Sequence, residues 1–205
     1  MRRAICVLLM CVSGIAVGCG SEGSPAEGTP TVGATDSTTQ TKETDTPALV
    51  GRWERVNECP QLVAAFEEAG LMELAPAFLG DYFPGATPQA LAQKDDLCEG
   101  AESFVHSHFF TDTGEFGSLT EELEQVDDGT YEITDEGTFV ISKEFPDVTF
   151  HFEVEGDNLT MTPVLTEELK QEALTHPLDF TAAGWALTMS YPGQVWKRVD
   201  CSGWC

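Results

Sequence analysis

Short turns built from acids and glycine, set between runs that alternate apolar and polar residues, dominate the second half of the chain. Asp112-Thr113-Gly114, Asp127-Asp128-Gly129, Asp135-Glu136-Gly137 and Glu155-Gly156-Asp157-Asn158 recur at short intervals. Glycine supplies the positive φ of a tight hairpin, and Asp and Asn tolerate it. The runs between them read as strands over 103–110, 115–119, 130–134, 138–142, 148–155 and 159–163. In the fifth of these Phe150, Phe152 and Val154 point one way, and Thr149, His151, Glu153 and Glu155 the other, as in a half-buried strand. Leu49-Val-Gly-Arg-Trp-Glu-Arg-Val56 adds a strand before them and residues 194–200 one after, giving eight. The chain is thus expected to be mainly β. Eight antiparallel strands in hairpin order favour an up-and-down barrel, which leaves no open edge, over a sandwich.

Helical signals interrupt this series twice. Residues 60–98 form an expected helical insert after the first strand. Pro60 suits a first helical position, Leu62, Val63 and Phe66 share a face, and Gly70 suits the stop. Residues 71–79 read as a short helix broken by Pro76, and Thr87-Pro88 as a cap and first turn leading towards Cys98. A helix before the last strand opens at Thr166, carries Glu167 and Glu168 in its first turn and ends before Pro177.

The N-terminus has a different character. Arg2 and Arg3 precede an uncharged apolar run over 4–17, too short to span a membrane as a helix and suited to a signal sequence. Ala16-Val17-Gly18-Cys19 resembles the lipobox of bacterial lipoproteins. The resemblance implies cleavage after residue 18 and lipid on Cys19; the alternative is an ordinary cleaved signal with an incidental cysteine. The arginine pair also resembles a twin-arginine signal loosely, with the general secretion route as the default. In 20–48, 18 of 29 residues are Thr, Ser, Gly or Pro. Such a segment buries too little surface to offset its ordering entropy, so 19–48 reads as a lipidated cysteine and a disordered tether of about 30 Å. The expected organisation is a signal peptide over 1–18, the tether over 19–48 and one domain over 49–205. The expected location is the outer face of the bacterial cell membrane, held there by the lipid.

That domain carries 7 basic and 30 acidic residues, a net charge of −23. A surface so acidic repels nucleic acid and anionic headgroups. Of seven cysteines, Cys6 and Cys11 leave with the signal and Cys19 takes lipid, leaving Cys59, Cys98, Cys201 and Cys205 as an even set outside the reducing cytosol. A four-cysteine zinc site is the rival, but the close CxxC spacing of zinc knuckles is missing. In a barrel the first and last strands are antiparallel neighbours, which puts Cys59 and Cys201 at opposite rims, about 25 Å apart at 3.3 Å per residue. A disulfide needs Cα atoms within about 7 Å. The expected bridges are therefore Cys59 with Cys98, and Cys201 with Cys205.

Gly51-Arg52-Trp53 on the first strand, the hairpins after it and Trp196-Lys197-Arg198 on the last resemble the lipocalin-like (calycin) barrels of bacterial lipoproteins. The chain is also similar to actinobacterial lipoproteins, a likeness that brings no activity with it. The calycin resemblance implies structural roles for Gly51, Trp53 and Arg198, with Trp53 plugging the barrel base and Arg198 covering it. The insert after the first strand departs from the family pattern, as a lid or as a filling of the mouth.

Candidate binding residues follow from the strand faces. Trp53, Phe104, Tyr131, Phe139, Phe150, Phe152 and Trp196 either line a pocket or fill the barrel, since eight strands enclose one small ligand or a solid core. His106 and His108 lie two apart on one strand and face the same way, so both imidazoles reach towards one point. A metal there needs a third ligand, with His151, Glu102 and Glu115 as candidates; two hydrogen-bonded histidines on a strand surface are the preferred reading. No nucleophile motif, phosphate loop or cofactor signature is present in the sequence, and acid pairs such as Glu121-Glu122 and Glu167-Glu168 follow from composition. Two functions stay open: a tethered module binding a small apolar or amphipathic molecule, and a structural or protein-interaction lipoprotein with a solid core.

Overall fold

The computed structural model describes residues 48–135, 137–143, 146–201 and 203–205. The signal peptide, Cys19 and nearly all of the tether expected from the sequence lie outside the described residues. Eight strands form a closed antiparallel barrel in which each pairs with the next and the first with the last. They are β1 (Gly51–Asn57), β2 (Phe104–Phe110), β3 (Glu115–Leu119), β4 (Gln125–Asp135), β5 (Thr138–Ser142), β6 (Val148–Glu155), β7 (Asn158–Pro163) and β8 (Val195–Val199).

The hydrogen-bond registers put Trp53 opposite His108 and Arg198, Phe139 opposite Phe150, and Leu159 opposite Trp196. The period of two then turns alternate residues of every strand inward. Along β1 the inward set is Gly51, Trp53, Arg55 and Asn57. Strand parity also sorts the connections. Those from even to odd strands share one rim and are tight turns, with Gly114, Gly137 and Gly156 at φ of 86°, 77° and 60°. Those from odd to even strands open at the other rim, the mouth, and every described α-helix lies in them. Between β1 and β2 come α1 (Cys59–Glu68), α2 (Ala75–Phe78) and α3 (Pro88–Leu91); between β7 and β8 come α4 (Glu167–Thr175) and α5 (Ala182–Met189). No helix among the described residues is long and apolar enough to cross a membrane.

Local chemistry differs from the sequence reading at four places. Asp127-Asp128-Gly129, expected as a turn, lies inside β4, which spans Gln125–Asp135. Gly129 serves close approach there: a Cβ would sit 2.9 Å from the Ser142 carbonyl oxygen. The turn lies upstream, where Leu123 takes a φ of 62°. Pro76 does not break a helix but sits in the first turn of α2, where its missing N–H costs nothing. Thr87 does cap α3, its Oγ1 accepting from the Ala90 N–H, but the helix stops at Leu91 rather than running towards Cys98. The fourth difference is α5, which the sequence reading left out. Seven of its residues are buried. With no polar face it shows no amphipathic period, the signal on which helices are read.

The barrel interior is solid with rings. Phe139 stacks on Phe150 at 5.2 Å between centroids and meets Phe110 and Phe152 edge-on, each at 5.5 Å. Trp185 of α5 reaches in from the mouth to 6.3 Å from Phe116 and 6.2 Å from Phe150. At the opposite end Trp53 is fully buried, its indole N–H donating to the Leu49 carbonyl at 2.9 Å, and the Arg198 guanidinium lies 4.2 Å over its ring. Both expected disulfides are present: Cys59–Cys98 ties the start of α1 to the end of the insert, and Cys201–Cys205 closes the C-terminal loop. That loop holds Trp204 outside the barrel, 5.2 Å from Phe109 on the outer face of β2.

Candidate functional site

Between the helices and the mouth ends of β1 to β4 lies a cleft of about 1120 Å³. Its floor is Arg55, His106 and His108, delivered by the facing strands β1 and β2, where Arg55 pairs in register with His106. Tyr82, Phe104 and Tyr191 wall it. Asp81, Glu121 and Glu122 stand among the residues around it, as do the exposed side chains of Phe180 and Val126.

Arg55 is the unusual group. Only 6 % of it is exposed, yet no carboxylate among the described residues pairs with it. One terminal nitrogen, Nη2, donates to the Thr188 carbonyl at the end of α5. The guanidinium lies 4.2 Å over the Trp196 ring and 5.6 Å from that of Tyr191. Its Nε and Nη1 have no hydrogen-bond partner among the described residues. Burial draws its pKa down to about 9, against a smaller opposing effect of Tyr191 and Tyr82.

The histidines follow from the same burial. His108 is 2 % exposed; its Nδ1 lies 2.9 Å from the Ser118 hydroxyl and its Nε2 3.3 Å from the Met189 carbonyl. A neutral ring satisfies both, donating from Nε2 and accepting at Nδ1. Burial, then His106 and Arg55, hold its pKa well below the usual value. His106 packs 4.9 Å from His108, and burial together with the Arg55 charge lowers it to about 4. Tyr82 and Tyr191 are both pushed up, mainly by burial. At neutral pH the floor therefore carries one cation among neutral hydrogen-bonding rings.

The expected site residues divide. Phe104, His106 and His108 line the cleft. Tyr131, Phe139, Phe150, Phe152, Trp53 and Trp196 instead belong to the packed interior, with Trp53, Phe139, Phe150 and Trp196 fully buried. The histidines are not on a strand surface, as the sequence reading preferred, because the β1–β2 register turns them inward. The three candidate third ligands lie apart from them: His151 faces out beside Thr138, and Glu102 and Glu115 are exposed. No cluster of three potential metal ligands occurs among the described residues. Arg55, Tyr82 and Tyr191 were missed. Arg55 was within reach, two residues beyond Trp53 and so on the same inward face; Tyr82 and Tyr191 come from irregular segments with no readable period.

A second groove of about 870 Å³ runs outside the barrel between the β2–β3 hairpin and Trp204, lined largely by threonines, acids and glycines. Comparison of the chain with protein-family models, with curated proteins and with solved structures returns no match.

Proposed function

We propose that this chain is an exported, membrane-tethered binding protein for a small amphipathic molecule, and that the molecule sits in the cleft at the barrel mouth rather than in the barrel itself. The cleft carries the reading. It exceeds the several hundred Å³ that small-ligand sites occupy, and it joins apolar walls to a few converging polar groups. The lipocalin-like up-and-down barrel is part of the same proposal. Its support is the Arg198 guanidinium over Trp53 at one end and the helices gathered at the other. Phe139 stacked on Phe150, with Trp185 above them, leaves the interior as scaffold, so the binding surface falls to the seam between helices and rim.

Uptake of an environment-sensitive fluorophore by the 49–205 domain, displaced by amphipathic competitors, is the expected outcome. The tether is tested separately: Cys19→Ala is expected to shift the full-length protein from the membrane to the soluble fraction, and unchanged partitioning counts against lipid on Cys19. A second reading, a protein-interaction domain working through its helical insert, draws on the exposure of Phe180 and Val126, 65 % and 59 %. Failure of every fluorophore to bind favours that reading.

A further inference from the structure

Building on the cleft as a binding site, we infer that its ligand is a monocarboxylate with an aromatic body, and that the carboxylate is received by the Arg55 guanidinium. A buried guanidinium without a counter-ion is costly, and buried charges are ordinarily paired. Arg55 has used one N–H on the Thr188 carbonyl and its face on Trp196, while Nε and Nη1 stay unpaired. Nη1 lies on the side of Cδ whereas the Nε–H points towards Nη2, so the two sit on different edges, and Nη1 is the end-on donor left for a carboxylate oxygen. Arg55 lines the cleft, but these two nitrogens are themselves buried, so binding requires the guanidinium to turn towards the ligand.

The surroundings narrow the class further. His106 and His108 are neutral, and Lys143, the other cation around the cleft, is paired with Asp127, so Arg55 is the one positive charge of the floor. Asp81, Glu121 and Glu122 line the same cleft. That arrangement suits one negative charge and opposes a phosphate dianion or a polyanion. The body of the ligand meets Tyr82, Phe104, Tyr191, Phe78 and Phe180, five aromatic side chains around one space. Tyr82 and Phe104 already meet edge-on at 5.0 Å, and Phe78 and Phe180 lie 5.3 Å apart. A flat aromatic body exploits such walls through offset and edge contacts.

The test uses 2-naphthoate against its neutral counterpart 2-naphthalenemethanol and the cation 2-naphthylmethylamine, each titrated into the full-length protein while displacing a bound fluorophore. A charge-assisted pair at a desolvated arginine predicts that naphthoate binds about 10- to 100-fold tighter than the alcohol, with the amine weaker still. In Arg55→Met, checked for retained folding by circular dichroism, that preference disappears while the alcohol binds as before. Should the variant not fold, the wild type still decides: the Arg55 Nε–H resonance shifts on adding naphthoate and not on adding the alcohol. Equal binding of acid and alcohol overturns the inference and leaves the cleft as a binding site. Fluorophore uptake without displacement by any naphthalene does the same. No uptake of fluorophore at all removes the binding function itself, and the inference with it.

Discussion

Burial of ionisable side chains at the mouth has a measurable consequence for stability. His106 has a pKa near 6.5 in an unfolded chain and about 4 in the fold, where burial and then the Arg55 charge disfavour its protonation. Around it stand Arg55, His108, Phe104 and Trp196, none of them acidic. Between pH 6.5 and 4 the unfolded chain therefore binds a proton that the folded protein refuses. Stability is full above that window and falls as pH drops through it, by up to about 3 kcal/mol from this one residue. His108 acts in the same direction. Urea unfolding at pH 7.5 and 4.5 is expected to show this loss in the wild type and a clearly smaller one in His106→Gln. Equal losses would mean that His106 reaches water. The inward placement behind this prediction was readable in part: Trp53 marks an inward face, and the 106/108 spacing puts both histidines on one face without saying which. What the sequence hid was the partner, because pairing β1 with β2 depends on register across a forty-residue insert.

At the scale of elements, α5 decides how the mouth is filled. Its Gly184 lies against Phe78 of α2, and a Cβ there would come within 2.0 Å of the ring. Alanine is worth about 1 kcal/mol over glycine inside a helix, whereas overpacking costs about 1–3 kcal/mol. The ring is itself held between Phe66 at 5.8 Å and Phe180 at 5.3 Å, so the steric term wins. Gly184→Ala is expected to destabilise by about 1 kcal/mol and Gly184→Val by more, read from urea midpoints; a stabilised alanine variant would show that α5 packs elsewhere. The two disulfides make a contrasting pair. Sequence separations of 39 and 4 give about 4 and about 2 kcal/mol in the chain-entropy treatment. Replacing Cys59 and Cys98 by Ser is thus expected to cost about twice as much as replacing Cys201 and Cys205. Hairpins and bridges were legible because glycine turns and rim geometry are local or topological constraints. Helix α5 was not, since a helix buried all round differs little in pattern from a buried strand. Asp127-Asp128-Gly129 misled for the opposite reason: a turn-like tripeptide was held straight by the approach of β5.

Closing the barrel is a property of the whole molecule, and the two seams of the last strand are its shortest. Strand β1 pairs with β2 from Gly51 to Asn57, but with β8 only at Arg52, Trp53 and Glu54. Arg198 reinforces this short seam. Its guanidinium covers Trp53 at 4.2 Å and donates to the carbonyls of Val50 and Ala48 at 2.8 and 2.7 Å. Gly51 is what lets it lie there: φ is 148° and a Cβ would fall 2.6 Å from Nη1. Lysine cannot reproduce two directed hydrogen bonds and a stacked plane together, so Arg198→Lys is expected to lose nearly as much as Arg198→Ala, about 2 kcal/mol. Hydrogen exchange should then accelerate first along Val195–Val199 and its partners on β1, while β2 to β7 keep their protection. The stronger test is a double-mutant cycle of Gly51→Ala and Arg198→Ala. In the wild-type background the new methyl both strains the backbone and displaces the guanidinium; once Arg198 is gone, only the strain remains. The two costs should therefore fall short of additivity by about 1 kcal/mol or more, within the range measured for residues in contact. Strict additivity would mean that the glycine and the arginine act independently, and that something other than this contact holds the barrel shut.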